Sequence, residues 1–356
     1  GTRAGLIAAL ILALSPFHVR FAQEARMYAL LTLTAALALL GLVMILTERG
    51  NRAPGPTGFN RFRIPLAADF NRWRLPWLLY IVFTAATMLT HSTALFFPVA
   101  TNLFVIGFIA YRRRRPLAAE TATGVSVLTP PPLRTWLWAQ AGVLLLWLPW
   151  VYSFVIQSIG VYNQFWIQPP TPRTVVGAFV SLLNDFLPPS LPAALVMLGY
   201  ALLLLLGAAY LRRRLPLLVL LLTLVLTPVI GELLVSLRRP IFYDRTLIWI
   251  TLPLCLLLAF GIVQVRPKLP AGAVLALLCV VSLLSLHNYY TTFQKEQWRE
   301  AAATLARKVK PDDLILFNAT WVQIPFDYYF RRYDLPVAQH GAPVDLFDAG
   351  VLEPIM

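Results

Sequence analysis

The amino-acid sequence predicts a mainly α protein: a polytopic transmembrane helical bundle with a small external α/β unit at its C-terminal end. Three observations predict it. Of the 356 residues, 58% are hydrophobic and 13% are charged, whereas a soluble domain carries about 25% charged residues; mean hydropathy is +0.69. Apolar runs approaching the roughly 20 residues needed to cross a ~30 Å hydrocarbon core recur along the chain, parted by short polar loops. These runs are continuous and not alternating, so they form helices and not barrel strands.

About nine passes are predicted. The first, about 4–16, runs outward and is short; the chain opens at Gly1 directly into it, and we read the sequence as a fragment lacking N-terminal passes. The second, about 27–47, returns inward to an Arg-rich loop containing RAPGPTG. Passes at about 76–91 and 93–110 make a tight hairpin around His91, anchored by YRRRRP. After the Pro-rich VLTPPPLR, a pass at 135–151 leads out to an external segment, 152–190, with an amphipathic helix near 174–187. Passes at 192–210, 215–230, 246–264 and 271–286 complete a membrane domain spanning 1–286. Trp73, Trp77, Trp136, Trp138, Trp147, Trp150, Tyr111 and Tyr210 cluster at run ends, where amphipathic rings prefer the membrane interface. From 287 to 356 the composition changes. WREAAATLARKV reads as an amphipathic helix, DDLILFN as a strand and IPFDYYFRRYD as another helix, forming an external α/β segment.

The net charge of +14 looks like a nucleic-acid signal until it is located. One set of alternate loops carries a net +14, the other set +2, and residues 287–356 carry −2. This is the positive-inside pattern, so the basic loops are read as cytoplasmic and no nucleic-acid partner is needed. Cys255 and Cys279 lie inside apolar runs and read as small hydrophobes, not as a disulfide.

Polar residues at the outer boundary carry the candidate chemistry. In SPFHVRFAQEARMYALL, Glu24 and Arg26 sit between two apolar runs. A charge there is costly unless it is paired or functional. Glu24 has two readings: a carboxylate at a helix N-terminus, favoured by the helix dipole and paired with a nearby Arg, or a site residue. A cation is disfavoured at that terminus, so Arg26 calls for an anionic ligand. The second cluster, LLVSLRRPIFYDRTLIW, places Arg238, Arg239 and Arg245 in one outer loop. Arginine binds phosphate bidentately and stays charged; the partner is a lipid phosphate at the outer leaflet or ordinary anionic headgroups. Asp244 beside Arg245 reads as a local ion pair of little worth. His18 and His91 are single histidines without metal-ligand spacing.

The stretch RAGLIAALILALSPFHVRFAQEARMYALL resembles a distinctive run of the bacterial family 39 glycosyltransferases. These are GT-C class membrane enzymes related to protein O-mannosyltransferases and the lipid A aminoarabinose transferase. SLRRPIFYDRTLIW, FWIQPPTP and WREAAATLARKVKPDDLILF resemble later segments of the same family, in the same order, with Thr246 where Tyr is usual. The resemblance implies transfer of a sugar from a polyprenyl-phosphate donor to an acceptor hydroxyl at the outer face of the cytoplasmic membrane, with inversion. The acceptor would be a lipid, a glycan or a protein. The resemblance also implies that the main acidic residue of the first external loop precedes Gly1, so that this fragment is inactive by itself. Within the chain it makes Glu24 the remaining candidate acid or base, or the ligand of a divalent cation such as Mg or Mn. Arg26, Arg238, Arg239 and Arg245 become candidate phosphate ligands, and Tyr28 a hydroxyl donor. A flippase or transporter for lipid-linked sugar, and an oligosaccharide polymerase or ligase, are the competing readings.

Overall fold

The computed structural model describes residues 2–24, 26–48, 70–114, 128–163, 167–265, 268–342 and 345. Most of the Arg-rich loop at 48–74, the end of YRRRRP, Phe165 and Trp166 of FWIQPPTP, and nearly all residues after 342 lie outside the described residues. The side chain of Trp73 does too.

The chain is a mainly helical, multi-pass membrane protein. Six segments among the described residues are long and apolar enough to cross a bilayer: Tyr28–Thr47, Ser92–Arg114, Leu133–Ile159, Ala193–Ser236, Asp244–Gln264 and Pro270–Thr292. Leu-rich and Ala-rich sequence apolar on every side favours helix and gives each one a lipid-facing as well as a packed face. Leu6, Leu145 and Leu205 are accordingly about two-thirds exposed on the protein alone.

The helices follow in order. α1 (Thr2–Ala13) and α2 (Pro16–Ala22) are bent by 58° at Ser15, whose hydroxyl caps α2 by accepting from the His18 amide. α3 (Tyr28–Glu48) packs along α4 (Phe70–Thr90). A 3-10 turn, Ser92–Leu95, leads into α5 (Phe96–Arg114), and α6 (Leu133–Trp147) packs on α4. Then come α7 (Val151–Asn163), α8 (Pro172–Asn184), α9 (Ala193–Leu211) and α10 (Leu215–Ser236). The 3-10 helix Asp244–Ile250 opens into α11 (Thr251–Gln264), and α12 (Lys268–Thr292) ends the membrane part. The 44-residue apolar segment holds both α9 and α10, joined through Arg212–Arg214 in 3-10 form. At 1.5 Å per residue each is about 30 Å long, the thickness of the hydrocarbon core.

Two expectations are corrected and two are filled in. The pass read at 135–151 does not end there: α6 runs through a 3-10 turn, Leu148–Trp150, into α7, and the apolar helical run reaches Ile159. Tyr152–Ile159 is itself apolar, and Pro149 sits in the first turn of its element, where a proline is tolerated. The run at 246–264 begins as 3-10 helix, tightened by the Thr251 amide bonding back to Ile248 and Trp249. Trp136 is not an interfacial ring. It is fully buried, donates from Nε1 to Asn102 Oδ1 at 2.8 Å, and stacks near Tyr80. Asn102 Nδ2 donates in turn to Gln140 Oε1 at 2.9 Å, and Tyr80 meets Thr101 at 2.9 Å, so α4, α5 and α6 share a buried polar network. The C-terminal unit has, besides the strand expected in DDLILFN, a second strand.

That unit, Thr291–Met356, is compact in its own right, as is Gly1–Tyr290. α13 (Trp298–Ala306), β1 (Leu314–Phe317), α14 (Gln323–Phe330) and β2 (Ala338–Gly341) follow one another, with β1 and β2 parallel and Leu314 opposite Ala338. Ala302, Phe317, Phe326 and Phe330 form its core. The buried Asp345 carboxylate accepts from Gln323 Nε2 and the Gly341 amide and lies 3.3 Å from His340 Nδ1, tying β2 to α14.

Candidate functional site

The α2–α3 junction, the α4–α5 turn, the end of α8 and the α10–α11 connection converge on one polar cluster. The reason is partly local. Arg20 lies on the last turn of α2, where a cation complements the helix dipole, and Glu24 follows at i+4. Arg20 Nε is 4.0 Å from Glu24 Oε1, and Arg26 Nε is 3.8 Å from Glu24 Oε2. Among the described residues the partners of the Glu24 carboxylate are thus two guanidinium groups and not the first amides of α3. Glu24 keeps 22% of its side chain exposed and Arg26 53%, so the pair is partly open at the surface.

Arg20 reaches further. Its Nη1 donates to Asp185 Oδ2 at 3.3 Å, and its guanidinium lies over the Phe21 and Phe186 rings. Burial pushes the Asp185 carboxyl above its ordinary range, and the Arg20 charge opposes that shift. Phe186, with a left-handed φ of 58°, turns the chain so that its carbonyl accepts from Asn288 Nδ2 at 2.9 Å and its ring meets Tyr289. Gln23 donates to the Tyr290 hydroxyl and accepts from Tyr289 at 3.4 Å.

On the other side Tyr28, buried at the start of α3, bridges the two predicted clusters. Arg245 lies 5.9 Å from the Tyr28 ring and 4.7 Å from the Tyr243 ring, cation–π distances. The His91 ring stands 6.0 Å from Tyr28. His91 Nδ1 accepts from the Thr93 amide at 3.1 Å, capping the 3-10 turn. Burial first, then the Arg245 charge, hold His91 down to about 4. It is a neutral imidazole at physiological pH.

The loop carrying Arg245 is fixed from below. The Ser236 hydroxyl accepts from the Ile241 and Phe242 amides at 3.0 Å each. Thr246 Oγ1 lies 2.8 Å from Glu232 Oε2 and 2.6 Å from the Tyr243 carbonyl, and the Thr93 hydroxyl faces the same carboxyl. Glu232 is 1% exposed. Asp244 accepts from the Arg245 amide at 2.7 Å, so the expected Asp244–Arg245 pairing is made through the backbone.

The predicted residues therefore divide. Glu24, Arg26, Tyr28 and Arg245 come together. Arg239 turns away and donates to the Ser158 carbonyl of α7 at 2.8 Å, and Arg238 is exposed. Arg20, Asp185, His91 and Glu232 were not singled out as site residues. Glu232 had a signal: a lone carboxylate inside a 22-residue apolar helix. The donor set does not fit a cation held by protein ligands alone. Glu24 has guanidinium groups on both oxygens, and among the described residues no three His, Cys, Asp or Glu side chains gather for a metal. No family model matches the chain, and no match to it is found among curated proteins or solved structures.

Proposed function

We propose that the protein is an integral-membrane glycosyltransferase that moves a sugar from a polyprenyl-phosphate donor to an acceptor hydroxyl. The proposal puts the reaction at the outer face of the cytoplasmic membrane, with about nine passes and the C-terminal unit on the same outer side. One observation carries it: Glu24, Arg26 and Arg245 surround Tyr28, with Arg20 beside Glu24, at the polar boundary of an apolar bundle. A lipid phosphate needs such cations, and acceptor activation needs a carboxylate beside them.

In the transfer, the acceptor oxygen attacks the anomeric carbon and the bond from that carbon to the phosphate oxygen breaks. The electron pair leaves on the polyprenyl phosphate, where Arg26 and Arg245 offset the developing charge. Glu24 accepts the proton that the acceptor hydroxyl loses. We route no step through a divalent cation.

The test is turnover by the intact gene product with radiolabelled polyprenyl-phosphate mannose, glucose or aminoarabinose and a membrane extract. Glu24→Gln and Arg245→Ala are expected to lower sugar release by about 100-fold or more while the protein stays folded. Undiminished turnover in both removes these residues from the site. The 58° break between α1 and α2 beside the charged cluster favours one competitor, a transporter for lipid-linked sugar. Donor binding without turnover, together with movement of lipid between leaflets, would establish that reading instead.

A further inference from the structure

An apolar groove lies between α5 and α10, at their arginine-rich ends. Phe104, Gly107, Phe108 and Tyr111 face Leu215 and Val219 across about 400 Å³. Gly107 opens it: a methyl group at that position would meet no atom within 4 Å. The end of the groove is basic. Arg112, Arg113 and Arg114 follow Tyr111 directly, and Arg212, Arg213 and Arg214 directly precede Leu215. Arg113, Arg114 and Arg212–Arg214 are exposed. Among the described residues none of these five is in an ion pair.

We propose that this groove is a binding site for one anionic phospholipid. An acyl chain lies in the slot past Gly107, and the headgroup phosphate meets the arginines. The complementarity is twofold. The slot is apolar and runs along two helices, and the rim carries positive charge that is in no ion pair among the described residues. A zwitterionic lipid would fit the slot equally but bring its own cationic group to a rim that is already positive. The arginines alone would attract any anionic surface diffusely; the open space at Gly107 gives one acyl chain a fixed place, and the arginines select the headgroup charge. This inference stands apart from the transferase reading, since the groove shares no residue with the polar cluster.

Native mass spectrometry of the full chain, with phosphatidylglycerol or phosphatidylcholine added in equal amounts, tests it. One retained phosphatidylglycerol is expected, with phosphatidylcholine retained at least about fivefold less, the worth of roughly one arginine near an anionic headgroup. Gly107→Leu fills the slot and should abolish the retained lipid, although leucine favours helix over glycine. Replacing Arg212, Arg213 and Arg214 by Gln should weaken retention by about tenfold or more. Equal retention of the two lipids overturns the proposal, as does phosphatidylglycerol retention unchanged in Gly107→Leu. Thermal melting of each variant in lipid-free detergent separates lost binding from lost folding.

Discussion

At the scale of single residues, His91 has the clearest measurable consequence. The folded protein holds its imidazole at about 4, against an ordinary 6.5. The unfolded chain therefore binds the proton more readily between those values. Stability from this group is complete above about 6.5 and is lost as pH falls toward about 4. Melting temperature in detergent should fall across that window, and His91→Asn should flatten the slope. Asparagine also caps well, so the Thr93 amide keeps an acceptor. An unchanged slope would mean that folding does not lower the His91 pKa. Arg238 and Arg239, alike in sequence, part at this scale as well. Arg239→Ala should loosen α7 through the lost Ser158 contact, whereas Arg238→Ala should change thermal stability by less than about 0.5 kcal/mol.

At the scale of elements, α9 and α11 cross at two glycines. A Cβ at Gly207 would stand 2.1 Å from the Leu257 carbonyl oxygen, and one at Gly261 would stand 2.1 Å from that of Leu203. Both obstacles are backbone, so neither can rotate away. In lipid, helices gain by close van der Waals approach at small residues, because apolar side chains are as well solvated by lipid tails. Gly207→Ala should thus separate the helices and destabilise the protein by about 1–3 kcal/mol, visible as a lower melting temperature. Gly199→Ala, where space is open on the same helix, should be neutral or mildly stabilising. The helix positions were legible in the sequence, because a long apolar run is a local property. The α6–α7 continuity was not: read from the sequence, the pass ends at 151, although helix and apolar sequence go on to Ile159.

At the scale of the whole molecule, the charge pattern makes a topological prediction. If the Arg-rich loops are cytoplasmic, alkaline phosphatase fused after Met356 should be active on the outer side, and the same reporter inserted near 212–214 should be inactive. The reverse pattern would overturn the orientation and, with it, an outer-face site. Composition alone established the membrane class, since 58% hydrophobic residues in long runs have no other stable solvent. The sequence also marked Glu24, Arg26, Arg238, Arg239 and Arg245 as costly charges at run boundaries, and the family resemblance added Tyr28. What it could not supply was their company. His18 meets Thr251 across 233 positions, and Arg20 meets Asp185 across 165. Tyr28 lies under Arg245, and Arg239 leaves the cluster for α7. Hydropathy and charge are written residue by residue and survive in any conformation. Which charges share a site depends on how helices pack, and that packing is decided by contacts between segments far apart in the chain.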